Sequence, residues 1–294
     1  EGSVYGRTGG DKFAICIPTE EFKEQDFMDA IQTMGHAFNN DLYHFHIYVG
    51  VYEITDRNEE VSIMCDKANL AIKALGENYD KSIAYYNDTI FHDTVAEKQL
   101  VGDFDKALAE KQFCMYLQPQ VNRDGAAKGA EALVRWAHPS RGILTPYAFI
   151  DILENAGLIY KLDLYIWEKA AQKLAEWKEK GYGSYHISVN ISTKDFYIID
   201  IYETFTGLIN KYGIAASNLH LEITETTLMT DFEKNMNIIH KLQGVGFRVE
   251  IDDFGSGYSS LNMLKDISAD VLKIDMGFLR KSENEVKGQD ILES

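Results

Sequence analysis

The chain has 294 residues, 45% hydrophobic and 26% charged, an ordinary globular profile with room for two domains and sizeable cores. Its 46 acids against 29 bases leave a net charge of −17, which excludes DNA, long RNA or an anionic membrane as partners held by a general basic field. Apolar runs are strand-length, so neither a transmembrane helix nor a signal peptide is expected, and the separated Cys16, Cys65 and Cys114 read as free thiols in a reducing cytoplasm.

Residues 1–92 read as one unit. A strand at 12–17 follows the glycine turn Gly9-Gly10-Asp11, and a polar helix is expected over 20–39. A strand at 44–51, a helix at 61–75 stopped by Gly76 and a strand at 82–86 complete an α/β or α+β piece. His44 and His46 share a strand face and could ligate a metal, but with no third ligand near in sequence a half-solvated face is the simpler reading. RTGGDKFAI (7–15) resembles the signature of the GGDEF domains, the diguanylate cyclases, and MCDKANLAIKALGEN (64–78) resembles their closing helix and loop. Lys12 stands where that family has an acidic metal ligand, reversing the charge offered to Mg²⁺. The chain also opens at the motif, without the family's earlier strands. The resemblance therefore implies a degenerate, N-terminally incomplete cyclase-like domain with a regulatory or structural role.

Residues 93–112 suggest a connecting helix. Leu100, Phe104 and Leu108 form one narrow apolar stripe, suited to packing along a domain edge or to a dimer contact.

From Phe113 the pattern becomes regular. FCMYLQPQV reads as a strand, NRDG as a turn, and 130–136 as a strand carrying Glu131 and Arg135. Thr145-Pro146 opens a helix to Ala156; a second helix, 162–180, turns Tyr165, Ile166, Leu174 and Trp177 to a core. Strand HISVNIS carries Asn190 and precedes a helix at 193–211. Strand LHLEIT carries Glu222, with Glu225 just beyond. Thr230 and Glu233 fit a capping box for a helix ending before Gly244. Strand FRVEID ends on Asp252, followed by Asp253 and a glycine-rich turn leading to a helix near Ser259; ADVLKID then brings Lys273 and Asp275. Asn190 to Glu222 spans 32 residues, Glu222 to Asp252 30, and Asp252 to Lys273 21, all βα-unit lengths. The strands read as nearly continuous apolar runs, each with a polar residue near its C-terminal end. That is the pattern of a (β/α)₈ TIM-like barrel with its site at the strand C-termini.

The gathered side chains have a chemistry of their own. Glu131 inside an apolar strand is costly unless paired or metal-bound, and adjacent Asp252 and Asp253 repel each other. Either a divalent cation compensates, or Asp253 caps the turn and Asp252 faces solvent. All side-chain oxygens here are hard ligands, suited to Mg²⁺, Mn²⁺ or Ca²⁺, and two ions about 3.5–4 Å apart are a recurring device for phosphodiester hydrolysis. Lys273 would orient the water, or simply pair with an acid.

EALVRW (131–136), SVNIS (188–192), LEITE (221–225), DDFGSGYSSL (252–261) and LKID (272–275), with QPQ (118–120), HPSRG (138–142) and PYAFI (146–150), resemble the successive motifs of the EAL-domain cyclic di-GMP phosphodiesterases. The resemblance implies one metal on Glu131, Asn190, Glu222 and Asp252, and a second on Asp252 and Asp253. It places Lys273 against the catalytic water, Glu225 behind the loop after the DDFG strand, and Gln118, Leu133 and Arg135 against the dinucleotide. It implies hydrolysis to pGpG with Mg²⁺ or Mn²⁺, inhibition by Ca²⁺, and a homodimer through the barrel. About six barrel strands are countable where closure wants eight, so residues 113–294 are expected to be a C-terminally incomplete barrel from a longer cytoplasmic protein, which could carry sensor or membrane segments elsewhere. A non-catalytic cyclic di-GMP receptor is the alternative, and an enolase-like enzyme with Lys273 as base a remoter one. The Asp253-Phe254-Gly255 triplet lacks a kinase's other loops, and Gly255-Ser256-Gly257 lacks the P-loop lysine.

Overall fold

The computed structural model of the chain describes residues 3–38, 46–75, 82–255 and 269–275. Two compact units divide between Gln99 and Leu100.

In the first unit, strands β1 (Val4–Gly9) and β2 (Lys12–Cys16) form an antiparallel hairpin with Gly9 opposite Lys12. The helix expected at 20–39 divides: Thr19–Glu21 is a single 3₁₀ turn, Phe22 is extended, and α1 runs Glu24–Phe38. Strand β3 is confined to Val49–Val51, so His46 lies before it, and His44 falls outside the described residues. Helix α2 (Val61–Lys73) packs on β3 so closely that a Cβ on Gly50 would sit 1.9 Å from the Ala68 carbonyl oxygen. Strand β4 (Ile83–Tyr85) pairs in parallel with β3.

Helix α3 (Asp88–Ala109) starts five residues earlier than the pattern suggests, because the Asn87 side chain accepts the Ile90 N–H at 3.1 Å and caps its first turn. Its Leu100, Phe104 and Ala107 belong to the core of the second unit.

In that unit, β5 (Phe113–Val121) and β6 (Ala127–His138) form an antiparallel hairpin, extended by β7 (Gly142–Leu144). After a 3₁₀ turn at Pro146–Ala148 come α4 (Ile150–Asn155), α5 (Ile159–Glu179), β8 (His186–Ile191), α6 (Asp195–Ile198) and α7 (Ile201–Tyr212). Then follow β9 (Leu219–Thr224), α8 (Glu225–Thr230), α9 (Phe232–Val245), β10 (Arg248–Phe254) and β11 (Val271–Ile274). The main strand path is β11-β10-β9-β8-β6-β5, parallel throughout except for β5. The sheet is strongly curled. Lys273 of β11 and Glu131 of β6 are four strand steps apart, roughly 19 Å along a flat sheet, yet their side chains meet at 3.1 Å.

The strands are not continuously apolar. In β8, β9 and the first part of β10, apolar odd-numbered residues (Ile187, Val189, Ile191, Leu219, Leu221, Ile223, Val249, Ile251) are buried against the helical layer, while even-numbered polar residues line the inside of the curl. Helix α5 supplies the largest complementary face, with Leu162, Ile166, Trp167, Ala170 and Leu174 buried at helical spacing. Trp167 packs against Phe205 of α7 with ring centres 4.5 Å apart and planes tilted by 37°, and donates its indole N–H to the Asn190 carbonyl, fixing β8 from behind. Tyr165 and Trp177, expected in the core, are partly buried at its edge.

Four local expectations change. The helix expected from Thr145 divides into the 3₁₀ turn and α4, and that expected at 193–211 into α6 and α7, the latter capped by Asp200 accepting from Glu203 N. Thr230 and Glu233 make no capping box: Asp231 precedes α9, and the Thr230 hydroxyl bonds back to the Thr226 carbonyl. Helix α9 continues through Gly244 to Val245 and closes at the left-handed Gly246. The helix expected near Ser259 and the chain after Asp275 lie outside the described residues.

Candidate active site

Strand register dictates what meets at the C-terminal mouth. Gln118 is opposite Glu131, Asn190 opposite Glu222, and Thr224 opposite Asp252. Glu131, Glu222 and Asp252 offer carboxylate oxygens that all lie within 4.8 Å of one another. The Lys273 ammonium stands among them, 3.1 Å from Glu131, 2.9 Å from Glu222 and 3.6 Å from Asp252. Glu222 is the deepest, with no exposed surface. Burial pushes its carboxyl up to about 8, against the pull of Lys273. Burial alone would lower the Lys273 ammonium, but Glu222, Glu131 and Asp252 together hold it above the usual lysine range.

Asp252 and Asp253 occupy a bulge. Ile251 pairs with Leu272 and Phe254 with Ile274, so three steps on β10 face two on β11. Asp253 takes the left-handed conformation, φ 53°, uncommon for a residue other than glycine. Neighbouring strand residues normally face opposite sides of a sheet, and the bulge relaxes that rule for this pair. The Asp253 carboxyl is raised by burial and then by the nearby charges of Asp252 and Asp275.

Glu225 opens α8 directly after β9, where the Thr224 hydroxyl caps the helix by accepting from Thr227 N. Its buried carboxylate accepts the Gly255 N–H at 3.1 Å, tying the first turn of α8 to the turn after Asp253. Leu133 and Arg135 alternate with Glu131 on the same face of β6. Arg135 donates to the Val134 carbonyl at 2.8 Å and lies 5.7 Å from the Tyr116 ring centre, so its hydrogen bond goes to its own strand. Asn190 and Gln118 are exposed at the mouth.

The donor set fits a hard divalent cation: every gathered ligand is oxygen, and a fully buried carboxylate demands positive charge. A second group lies deeper inside, formed by Gln120, His186, Ser188, His220 and Glu250, and no motif singles it out. Its signal was present as strict alternation in HISVNI, LHLEIT and RVEID, where every second residue is polar.

A curled parallel sheet whose strand ends gather carboxylates around one lysine defines an acid-mouthed α/β barrel-type protein. The chain belongs to the EAL domain family, which it matches over residues 101–294. It is 32% identical over 283 residues to the bifunctional diguanylate cyclase/cyclic di-GMP phosphodiesterase MucR of Pseudomonas aeruginosa, covering 94% of this chain and 41% of MucR. It is 28% identical over 287 residues to the cyclic di-GMP phosphodiesterase NbdA of the same organism, covering 95% of this chain and 36% of NbdA. The chain thus spans less than half the length of either relative. Among solved structures, the PaMucR phosphodiesterase in complex with c-di-GMP superposes with a TM-score of 0.61 at 34% identity, covering 66% of this chain and 79% of that one. Among the described residues, no helix is long and apolar enough to cross a membrane.

Proposed function

We propose that the second unit hydrolyses one phosphodiester of cyclic di-GMP to give linear pGpG. The observation that carries this is the convergence of Glu131, Glu222 and Asp252 within 4.8 Å around Lys273, at the strand ends of an EAL-family sheet. The names of MucR and NbdA and the ligand of the PaMucR complex support the substrate. Glu131, Asn190, Glu222 and Asp252 would hold one Mg²⁺ or Mn²⁺, and Asp252 with Asp253 a second. When bound, such ions supply a nucleophile from water near neutral pH and neutralise phosphate charge. Lys273 donates hydrogen bonds from inside the carboxylate cluster and so orients the attacking water. Gln118, Leu133 and Arg135, on the paired strands β5 and β6, hold the dinucleotide, with the guanidinium suited to a phosphate oxygen. Glu225 keeps the turn after Asp253 in place.

Residues 1–92 would act as a degenerate GGDEF-like regulatory unit, supported by the match to MucR over 94% of the chain and by Lys12 at the motif's acidic position. Residues 93–112 would connect it to the barrel at 113–294. A cytoplasmic homodimer through the barrel completes the reading.

The test is calorimetric titration of cyclic di-GMP with Ca²⁺, then incubation with Mg²⁺ or Mn²⁺ and chromatography for pGpG. Binding with all three ions and pGpG with Mg²⁺ or Mn²⁺ alone is expected. Binding without cleavage under every ion would make the protein a receptor. No binding would remove the substrate assignment.

A further inference from the structure

Beneath the mouth the barrel interior holds a polar layer where such barrels usually stack branched apolar side chains. His186 and His220, from adjacent strands, lie flat on one another with ring centres 3.9 Å apart and planes 3° from parallel. The His186 ring also covers Gly129 of β6, where any Cβ would meet it at 2.4 Å; only glycine leaves it that space. His220 is bonded at both nitrogens, Nδ1 to the Glu250 carboxylate at 2.6 Å and Nε2 to the Ser217 carbonyl at 3.2 Å. Ser188 donates to the same Glu250 oxygen at 3.2 Å.

The three donors His186, His220 and Glu250 lie within 4.8 Å of one another, the size of a metal triangle. Parallel stacked rings, however, aim their lone pairs side by side rather than at one point, and the facing nitrogens already have partners. The group is better described as a closed hydrogen-bonded layer, and it ends on Glu222. His186 Nε2 bonds to the Gln120 Oε1 at 2.7 Å, which turns the Gln120 amide nitrogen toward the Glu222 Oε1 at 3.5 Å. Glu250 is the register partner of Glu222 on the next strand and anchors the stack through His220.

We propose that Gln120 is a positioning residue for Glu222, holding its carboxyl from inside the barrel so that its free lone pairs face the mouth, and that Glu250 is a positioning residue acting through the stacked His186 and His220, which lock Gln120 in place. This rests on the reading of Glu222 as a metal ligand given above. Partners behind a metal ligand typically change metal affinity about 10–100-fold when removed, whereas residues that only fill the core change stability and leave the affinity of the folded protein alone.

Mn²⁺ would be titrated calorimetrically into the wild type and into the Gln120→Leu, Glu250→Leu and Glu250→Gln variants, with thermal unfolding of each in EDTA. Gln120→Leu and Glu250→Leu are expected to weaken Mn²⁺ about 10–100-fold. Glu250→Gln, which can still accept from Ser188 and His220, is expected to recover most of the affinity. If Glu250→Leu does not fold, Gln120→Met, of nearly equal length but without the donor, carries the same expectation. Folded variants that bind Mn²⁺ as the wild type does would overturn the positioning role and leave the metal reading standing. A wild type that takes up no Mn²⁺ would overturn both.

Discussion

Lys273 is the side chain on which three carboxylates of the mouth converge. Its ammonium meets three carboxylates, one of them fully buried, while 26% of its own side-chain surface is exposed. Removing one partner of a buried ion pair typically costs about 3–5 kcal/mol, and the partial exposure of Lys273 argues for a lower figure, roughly 2–3 kcal/mol. The Lys273→Met variant should therefore melt roughly 5–10 °C lower than the wild type in EDTA. Added Mg²⁺ should recover more of that loss in the variant than it adds to the wild type, because a divalent ion supplies the missing positive charge. Equal melting in EDTA would show that the lysine does not stabilise the cluster. Glu225 makes a different kind of contact. Its carboxylate accepts one backbone N–H at 3.1 Å, and a bond to a charged acceptor contributes about 1.5–3 kcal/mol. Glu225→Ala should expose the Gly255 amide to rapid hydrogen exchange and lower turnover at least tenfold, while Glu225→Gln, still an acceptor, should protect that amide. Slow exchange in both variants would show that the turn is held by other contacts.

At the scale of elements, the strands β8 to β11 and their order were readable from βα spacing and from the polar residue at each strand end. The inner lining was not. A strand buried on both faces and a strand with a polar barrel interior differ only in whether polar residues fall strictly on alternate positions, and in six residues that difference is slight. Gln120 could not be connected to Glu222, 102 residues away, without the curl of the sheet. The bulge at Asp252–Asp253 was equally hidden, because a two-against-three mismatch belongs to the pairing of β10 with β11 and not to either strand alone. Helix packing hides a further pair. Asp163 of α5 and Asp195 at the start of α6 are both raised chiefly by burial, Asp163 well above the usual range with the neighbouring charge of Asp195 adding to it. A carboxyl raised in the folded state favours folding while protonated, and that contribution is lost as pH climbs from the unfolded value near 3.8 to the folded one. Asp163→Asn keeps a donor and removes the titration. Its stability relative to wild type, read as the difference in melting temperature, should therefore be greater at pH 8 than at pH 5. A difference that is the same at both pH values would mean that folding does not raise the Asp163 carboxyl.

For the whole molecule, the net charge of −17 and the acids of the mouth act in the same direction on an anionic ligand. Glu131, Asp252 and Asp253 lie at the mouth where an anionic ligand would enter, and among the described residues the mouth strands set Lys273 and Arg135 against them. Screening decides how far this matters. The Debye length shrinks from about 30 Å at 0.01 M salt to about 8 Å at 0.15 M, so long-range repulsion fades while contacts inside the site persist. In EDTA, the association rate of cyclic di-GMP should thus increase as salt is raised over that range, the reverse of proteins that meet nucleic acid through a basic field. Divalent ions should flatten the dependence, since bound positive charge cancels the local acids before the distant ones. Stopped-flow mixing at several salt concentrations, with and without Mn²⁺, reads both slopes. An association rate that falls with salt in EDTA would mean that Arg135 and Lys273 set the field at the mouth, and that the acids around them are already neutralised by protons or by one another's hydrogen bonds.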